Sequence, residues 1–305
     1  MSRAETRLVP PEKPTTYYGR PIVKPPVWKP EIPFYFFFGG LAGASSVLAA
    51  AATFAGRRGL ARRAWAGAFV GVTASPVLLI KDLGKPSRFL NMLRVVKVTS
   101  PMSLGAWLLA ANGASTSYAA ALNLLAPRRR GGAHEIAAAA LGAPLATYTA
   151  SLITNSAIPA WSEARWEMPF VFASSATASA AGAALLTVPD DEAEPARALA
   201  ISAVVFEEAA TAVMHKRLGP LADAYKQGAA GRFGHASRAL SAAGAAALAA
   251  GRGRRDLSAA GGALLLAGAV CKRWSVFKAG FNSAEDPTQT VRIQRDRIAR
   301  DGSGA

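Results

Sequence analysis

Long apolar runs separated by short polar clusters are the dominant pattern of this chain. A helix needs roughly 20 apolar residues to cross the hydrocarbon core of a bilayer. The runs that approach this length are rich in Ala, Gly, Leu and Val, and they cover residues 33–56, 64–81, 101–126, 134–158, 168–188, 197–214, 236–250 and 257–274. The run at 236–250 is the shortest and is interrupted by Arg238. The pattern predicts an all-α fold, a polytopic membrane helix bundle of about eight transmembrane helices.

The two ends of the chain differ from this apolar middle. The first 32 residues are rich in proline, which blocks helix formation and favours extended chain. This segment is either a disordered tail or a strap that lies on a partner, and Tyr17, Tyr18 and Trp28 favour the strap. We expect no signal peptide before the first span. The predicted parts are a proline-rich N-terminal strap, an eight-helix transmembrane bundle and a polar C-terminal tail, at residues 1–32, 33–274 and 275–305.

The charge of the chain fits a membrane protein better than a nucleic-acid-binding one. It carries 35 Lys and Arg against 19 Asp and Glu, yet charged residues are only 18% of the whole and cluster between the apolar runs. Basic clusters of this kind follow the positive-inside rule and bind anionic lipid headgroups. Eight spans place both termini on one face, which we call the N-side. The N-side loops hold more Lys and Arg than the opposite loops, which predicts a cytoplasmic N-side.

Several cofactor classes are excluded by residue counts. Cys271 is the only cysteine of the sequence, so neither an internal disulfide nor a cysteine-ligated iron–sulfur cluster is possible within this chain. The three histidines do not provide two bis-His haem sites. Motifs for nucleotide binding, zinc hydrolysis or a serine nucleophile are also missing. We therefore expect no haem and no metal in this chain.

Polar residues are concentrated at the N-side ends of the predicted spans. Odd spans begin on the N-side and even spans end there, so residues distant in sequence share this face. They are Tyr35, Asp82, Ser103, Asn155, His215 and Arg273. This clustering predicts a site at the N-side interface. The alternative is that they are ordinary interfacial anchors, which is the better interpretation for Trp161 and Trp166.

Three ionisable residues in and beside the sixth run are candidates for proton transfer. Glu207 and Glu208 lie within the apolar sequence ALAISAVVFEEAATAVM, and ionisable groups inside a membrane are costly and usually functional. Glu208 and His215 are seven residues apart and share nearly one helical face. They predict a proton relay, or else a structural pairing of a buried carboxylate with an arginine of a neighbouring span. We also expect the two adjacent carboxylates to face different partners.

Tyr148, in the fourth run, is a candidate hydrogen-bond donor inside the membrane. Its phenol can donate to a buried carbonyl, although a tyrosine satisfied by a neighbouring helix is equally consistent with the spacing. Gly39 and Gly43 in the first run form a small-xxx-small face. Such a face allows close helix packing, and secondarily provides space for a flat ligand.

Several segments together resemble a known family. They are YYGRPIVKPPVWKPEIPFYFFFGGLAGASSVLAA, KDLGKPSRFLNMLRVVKVTSPMSLGAW, PLATYTASLITNSAIPAW, LGPLADAYKQG and GAVCKRWSVFKAGFNSAEDP. These stretches are similar to the NrfD/PsrC-type membrane subunits of polysulfide and nitrite reductase-like complexes. The match runs from about residue 17 to 290, and the second segment is its most specific part.

The resemblance implies a membrane anchor that binds quinone or quinol and has no redox centre of its own. In that family a four-cluster, ferredoxin-like iron–sulfur subunit docks on one face, and a molybdopterin catalytic subunit often completes the complex. The expected substrate is menaquinone or another quinone, and the expected location is the bacterial plasma membrane. This chain would then be a subunit of a respiratory oxidoreductase that does not itself hold a catalytic cofactor.

The resemblance also assigns individual residues. The quinone-contacting tyrosine of the family corresponds to Tyr148 and the loop aspartate to Asp82. A first-span histidine found in some members has no counterpart, and Tyr35 is present in that region instead. We expect Arg88 and Ser103 to shape the rim of the quinone site.

Two other functions fit the same pattern of spans. A transporter or channel would explain a buried glutamate pair, although no inverted repeat is visible in the sequence. A purely structural anchor would hold a redox complex to the membrane without contacting quinone.

Overall fold

The structure is a computed structural model that describes residues 21–83, 85–125 and 131–302. Most of the predicted strap, including Tyr17 and Tyr18, lies outside the described residues. Those that are described form helices, turns and loops without a β-strand, so the predicted all-α fold is confirmed. The long helices are α1 Glu31–Phe54, α2 Arg58–Asp82, α3 Pro101–Leu125, α4 Ala133–Thr154, α5 Met168–Leu185, α6 Asp190–Leu218, α7 Gly228–Ala250, α8 Arg255–Glu285 and α9 Pro287–Gly302.

The helices α1 to α8 correspond one to one with the predicted apolar runs, but several extend further. Helix α6 begins at Asp190 and ends at Leu218, because acidic residues in its first turn and basic residues in its last turn favour the helix dipole. Helix α8 continues to Glu285, beyond the predicted boundary at 274. Hydropathy detects the apolar part of a helix, whereas backbone hydrogen bonding continues through its polar ends.

Five segments are both long and apolar enough to cross a membrane. They are α1, α2, α4, α5 and the stretch Asp190–Lys226 that contains α6. Helices α3, α7 and α8 are each longer than α5, but their sequences are more polar. The composition of the helices therefore supports the predicted multi-pass bundle.

Helices α1 to α8 form two groups of four. Helices α1 to α4 pack in a ring, in which each contacts the next and α4 returns to α1, and helices α5 to α8 form a second ring in the same way. The groups meet chiefly where α1 packs against α5 and α8, and where α2 and α4 reach α5. Gly43 lies at the contact between α1 and α4, since a Cβ atom there would come within 2.4 Å of the Gly142 carbonyl oxygen. The packing interpretation of Gly43 is therefore confirmed.

Contacts at the helix ends confirm which ends share a face. On the N-side, Asp82 at the end of α2 accepts a hydrogen bond from the backbone of Lys29, before α1, at 3.0 Å. Trp161, in the short helical segment Pro159–Ser162, donates to the Val276 carbonyl of α8 at 2.8 Å. On the opposite face, Glu192 of α6 binds the start of α2. The alternation of spans deduced from the sequence is therefore present in the fold.

Candidate functional site

Tyr148 lies between α3 and α4 near their N-side ends. Its hydroxyl donates a hydrogen bond to the carbonyl oxygen of Pro101, the first residue of α3, at 2.9 Å. The ring lies against Gly105, where an added Cβ would be only 1.7 Å from the Tyr148 Cζ atom. Glycine at position 105 thus makes the space that the phenol occupies. This hydrogen bond matches the alternative interpretation of the residue, a tyrosine satisfied by a neighbouring helix.

Further polar residues of α1, α2 and α4 lie buried at the same end of the first ring. Tyr35 of α1 is buried, and its phenol is close enough to that of Tyr148 for the two to interact electrostatically. Thr149, the next residue of α4, is fully buried, and its hydroxyl has no hydrogen-bond partner among the described residues. Gly39 of α1 faces both Thr149 and Ser75 of α2. The N-side end of the first ring therefore contains a small polar region within an apolar interior.

The other predicted site residues lie at the same end and make local contacts. Asp82 holds the segment before α1 through Lys29, and Lys81 pairs with Glu31 at 3.4 Å. Ser103 donates to the Val95 carbonyl and accepts from the backbone N–H of Lys97, each at 3.0 Å. The structure thus gives Asp82 and Ser103 a role in shaping the loops at this end.

Arg88 is exposed in the short helical turn Pro86–Arg88 between α2 and α3. The chain that follows it presents an unusual number of exposed large apolar residues, namely Leu90, Val95, Val96, Val98, Met102, Leu104 and Trp107. Exposed apolar surface of this extent suits contact with lipid tails or with another apolar molecule. The exposed surface of the chain between Arg88 and the first turns of α3, where Pro101 accepts the Tyr148 hydrogen bond, is therefore largely apolar.

Glu207 and Glu208 belong to an ion-pair cluster within the second ring. The Lys272 ammonium of α8 lies 3.1 Å from the Glu207 carboxylate and 3.8 Å from that of Glu208. Glu208 also accepts a hydrogen bond from Arg238 of α7 at 2.8 Å. The expectation that the two carboxylates face different partners is therefore wrong, because one long lysine side chain reaches both. The expected pairing of a carboxylate with an arginine of a neighbouring span is present at Glu208.

His215 lies at the mouth of this cluster. Its ring contacts that of Tyr225 at a centroid distance of 5.5 Å. Both residues line a cavity of about 200 Å³ between α6, α7 and α8. Thr211, Arg238 and Lys272 are among the other lining residues. The structure thus brings His215 to the same cluster as the two glutamates, as the sequence predicts.

Arg273 differs from its expected position. The sequence predicts it at the N-side end of the last span, but α8 continues to Glu285 and buries the guanidinium between helices, with 1% of the residue exposed. Its Nη2 atom donates to the Phe172 carbonyl of α5 at 3.0 Å, and the guanidinium lies 3.9 Å from the centre of the Phe172 ring. The correction follows from the length of α8, whose polar C-terminal half does not resemble a span.

Sequence reasoning missed Lys272 and assigned Arg238 no partner. Both are basic residues at the edge or in the middle of an apolar run, and such residues are usually interpreted as flanking charges. Both residues could have been identified by balancing the charges inside the membrane. Two glutamates in one span require basic partners in neighbouring spans.

One comparison with known proteins gives a match over most of the chain. The sequence model of the family described as polysulphide reductase, NrfD, matches residues 22–213. The matched region covers more than half of the sequence and includes α1 to α5 and most of α6. No curated protein matches the chain.

Proposed function

The chain belongs to the polysulphide reductase NrfD family, and from this premise we propose that it exchanges electrons between a docked iron–sulfur subunit and membrane quinone. Members of the family are polytopic membrane subunits of oxidoreductase complexes, and the helices described above fit such a subunit. The proposed substrate is menaquinone or another quinone. The proposed partner is a four-cluster ferredoxin-like iron–sulfur protein, and a molybdopterin subunit completes the complex.

The observation that carries this proposal is the position of Tyr148. Its hydroxyl is a donor already aimed at a carbonyl oxygen, that of Pro101, and a quinone presents an oxygen of the same kind. The exposed apolar side chains of Met102, Leu104 and Trp107 lie next to Pro101 along α3 and suit an isoprenoid tail. A donor beside an apolar, lipid-facing rim is the arrangement that a quinone headgroup with its tail requires.

The proposed reaction joins two electrons and two protons with the quinone to give a quinol, or runs in the opposite direction. The electrons come from the iron–sulfur partner. Tyr148 and Asp82 bind the quinone oxygens or exchange protons with them, while Tyr35, Arg88 and Ser103 shape the site around the headgroup. Glu207, Glu208 and His215 exchange protons with water on the N-side, which we propose to be the cytoplasmic side of a bacterial plasma membrane.

The test is quinone binding and turnover by the complex purified through a tag on this chain. Tyr148→Phe removes one hydroxyl, and we expect it to lower quinone turnover by about 10²-fold, a usual effect of losing a positioned proton donor. The matched control is Tyr118→Phe, the same chemical change on the exposed surface of α3 beside His134. Extracted quinone and the absorbance of iron–sulfur clusters would be measured in parallel.

Other outcomes favour the alternative functions. Unchanged quinone turnover in Tyr148→Phe removes this residue from the mechanism. A complex that assembles normally but binds no quinone indicates a purely structural anchor. Ion or solute flux in vesicles that hold this chain alone indicates a transporter or channel.

A further inference from the structure

The cavity between α6, α7 and α8 is lined mainly by basic side chains, of which the proposed function uses only His215. Its basic lining residues are His215, Lys226, His235, Arg238 and Lys272. None of the described residues that line it is an aspartate or a glutamate. The phenol of Tyr225, which also lines it, donates its hydrogen to the carbonyl oxygen of Ala160 at 2.8 Å. The wall of the cavity is therefore basic.

The electrostatic balance inside this cavity is positive. The ring of His215 interacts electrostatically with three cationic side chains, which are those of Lys226, Arg238 and Lys272. Glu208 opposes them with one carboxylate. Glu208 is itself paired with Arg238, and it does not line the cavity. A negatively charged group is therefore favoured in this space.

The cavity extends from an exposed mouth to a buried end. At the mouth, the side chains of Lys226 and Arg238 are 58% and 59% exposed. Lys226 pairs with Asp223 at 3.3 Å, but a pair this exposed contributes little free energy and can be exchanged for a ligand. At the buried end, only 8% of the Lys272 side chain is exposed, and its ammonium lies 3.1 Å from the Glu207 carboxylate. The site thus combines accessible cations with one that is fixed inside the fold.

The ion pair between Arg238 and Glu208 is exposed in the middle of two predicted spans. Arg238 lies ten residues after Gly228, the first residue of α7, which is roughly 15 Å along the helix axis. The neighbouring exposed apolar residues of α6 are Val205, Phe206 and Val213. Charged side chains that face lipid tails at this depth are costly. An anionic group that covers the guanidinium would remove much of this cost.

We propose that this cavity binds the phosphate group of an anionic membrane lipid. Arg238 and Lys226 at the mouth donate hydrogen bonds to the phosphate oxygens, and Lys272 stabilises the negative charge from the buried end. A volume of about 200 Å³ accommodates the phosphate, while the acyl chains stay in the bilayer along the exposed apolar residues of α6. Basic pockets between transmembrane helices on the cytoplasmic side suit anionic headgroups, and the mouth lies on the N-side.

The test uses the complex purified through this chain and reconstituted in nanodiscs of phosphatidylglycerol and phosphatidylcholine. Arg238→Gln removes one charge from the mouth. Arg232→Gln is the matched control, because Arg232 is an exposed arginine of the same helix that does not line the cavity. Lys226→Gln is a second variant, in the short helical segment Asp223–Lys226, and it keeps the ion pair between α6 and α7 intact.

The measurements are the number of bound phosphatidylglycerol molecules, by native mass spectrometry, and the affinity for this lipid, by titration in detergent. We expect Arg238→Gln and Lys226→Gln each to weaken phosphatidylglycerol binding by about tenfold, the usual effect of losing one hydrogen bond to a charged group. Arg232→Gln should bind the lipid like the unaltered complex. Phosphatidylcholine, which has no net charge, should bind equally to all of them.

Separate titration with inorganic phosphate distinguishes a lipid from a soluble anion. Stronger binding of phosphatidylglycerol supports the proposal, whereas equal affinity for the two assigns the cavity to a soluble phosphate. Equal lipid binding by Arg238→Gln, Lys226→Gln and Arg232→Gln would overturn the site. A complex with two copies of this chain and no bound phosphatidylglycerol would also overturn it, since protein would then cover Arg238. No quinone is added, so these outcomes are independent of the proposed function.

Discussion

At the scale of single residues, Gly105 decides where the Tyr148 ring can lie. An added Cβ would be 1.7 Å from Cζ and 1.9 Å from the hydroxyl oxygen, far inside van der Waals contact. The ring would have to move, and its hydrogen bond to Pro101 would break. We therefore expect Gly105→Ala to reduce quinone turnover at least as strongly as Tyr148→Phe, measured in the purified complex.

The control for this substitution is Gly113→Ala on the same helix. Gly113 has open space around the added atom, and alanine favours helix over glycine by about 1 kcal/mol. Gly113→Ala should therefore leave turnover unchanged and preserve or raise thermal stability. Normal turnover in Gly105→Ala would show that the position of the Tyr148 ring is not important for the reaction.

Sequence reasoning was most successful for residues whose polarity conflicts with their surroundings. Tyr148, Glu207 and Glu208 were identifiable because each interrupts an apolar run. Lys272 was missed, and Arg273 was identified only as a residue at the N-side end of its span, because both lie where the apolar run of α8 ends. The helix continues for 12 residues beyond Arg273, since α8 ends at Glu285. Three-dimensional packing, rather than position along the run, determines that these charges are buried.

At the scale of helices, α2 receives its N-terminal cap from another element. The carboxylate of Glu192, in the first turn of α6, accepts hydrogen bonds from the backbone N–H groups of Gly59 and Leu60, each at 2.9 Å. The N-cap residue Arg57 provides no side-chain bond. Glu192 therefore satisfies donors that the start of a helix otherwise leaves free, and it fastens the second ring to the first.

We expect Glu192→Ala to destabilise the fold by about 1–2 kcal/mol, the usual cost of losing an N-terminal cap. Asp191→Ala is the matched control, since Asp191 is an exposed acidic neighbour in the same turn. Thermal unfolding of the two variants in detergent measures the difference. Equal melting temperatures would mean that this cap contributes little to stability.

The sequence predicted the helices better than their ends and their partners. Apolar runs identified α1 to α8, but the cap from Glu192 could not be deduced, because it joins residues more than 130 positions apart. The predicted polar tail contains the last turns of α8 and the whole of α9. Helix α9 has almost no apolar run, so hydropathy gave no signal for it.

At the scale of the whole molecule, the number of crossings determines where the chain ends. Eight crossings return the C-terminal part to the N-side, whereas crossing by only the five most apolar segments would leave it on the opposite side. Single cysteines can distinguish these cases, because Cys271 is the only natural cysteine and can be replaced by alanine. Suitable exposed positions are Ser87, Asp191 and Gln294.

We expect a membrane-impermeant maleimide to label Ser87→Cys and Gln294→Cys from the same side of sealed vesicles. Asp191→Cys should react only from the other side, because it lies at the start of α6 on the opposite face. Intact and inverted vesicles provide the comparison. Labelling of Ser87→Cys and Gln294→Cys from different sides would reject the eight-crossing topology.

The central place of α1 has a consequence for the order in which the protein matures. In the apolar 18-residue stretch of α1, 78% of the residues are buried inside the bundle, whereas only 33% are buried in the corresponding stretch of α2. Its Gly40 surface is covered by Ala176 of α5 and Arg273 of α8. During synthesis, α1 is therefore made long before the helices that cover it. Its small-residue surface must be sheltered by lipid or by the insertion machinery until the last long helix arrives, which makes assembly of the two rings a late event in biogenesis.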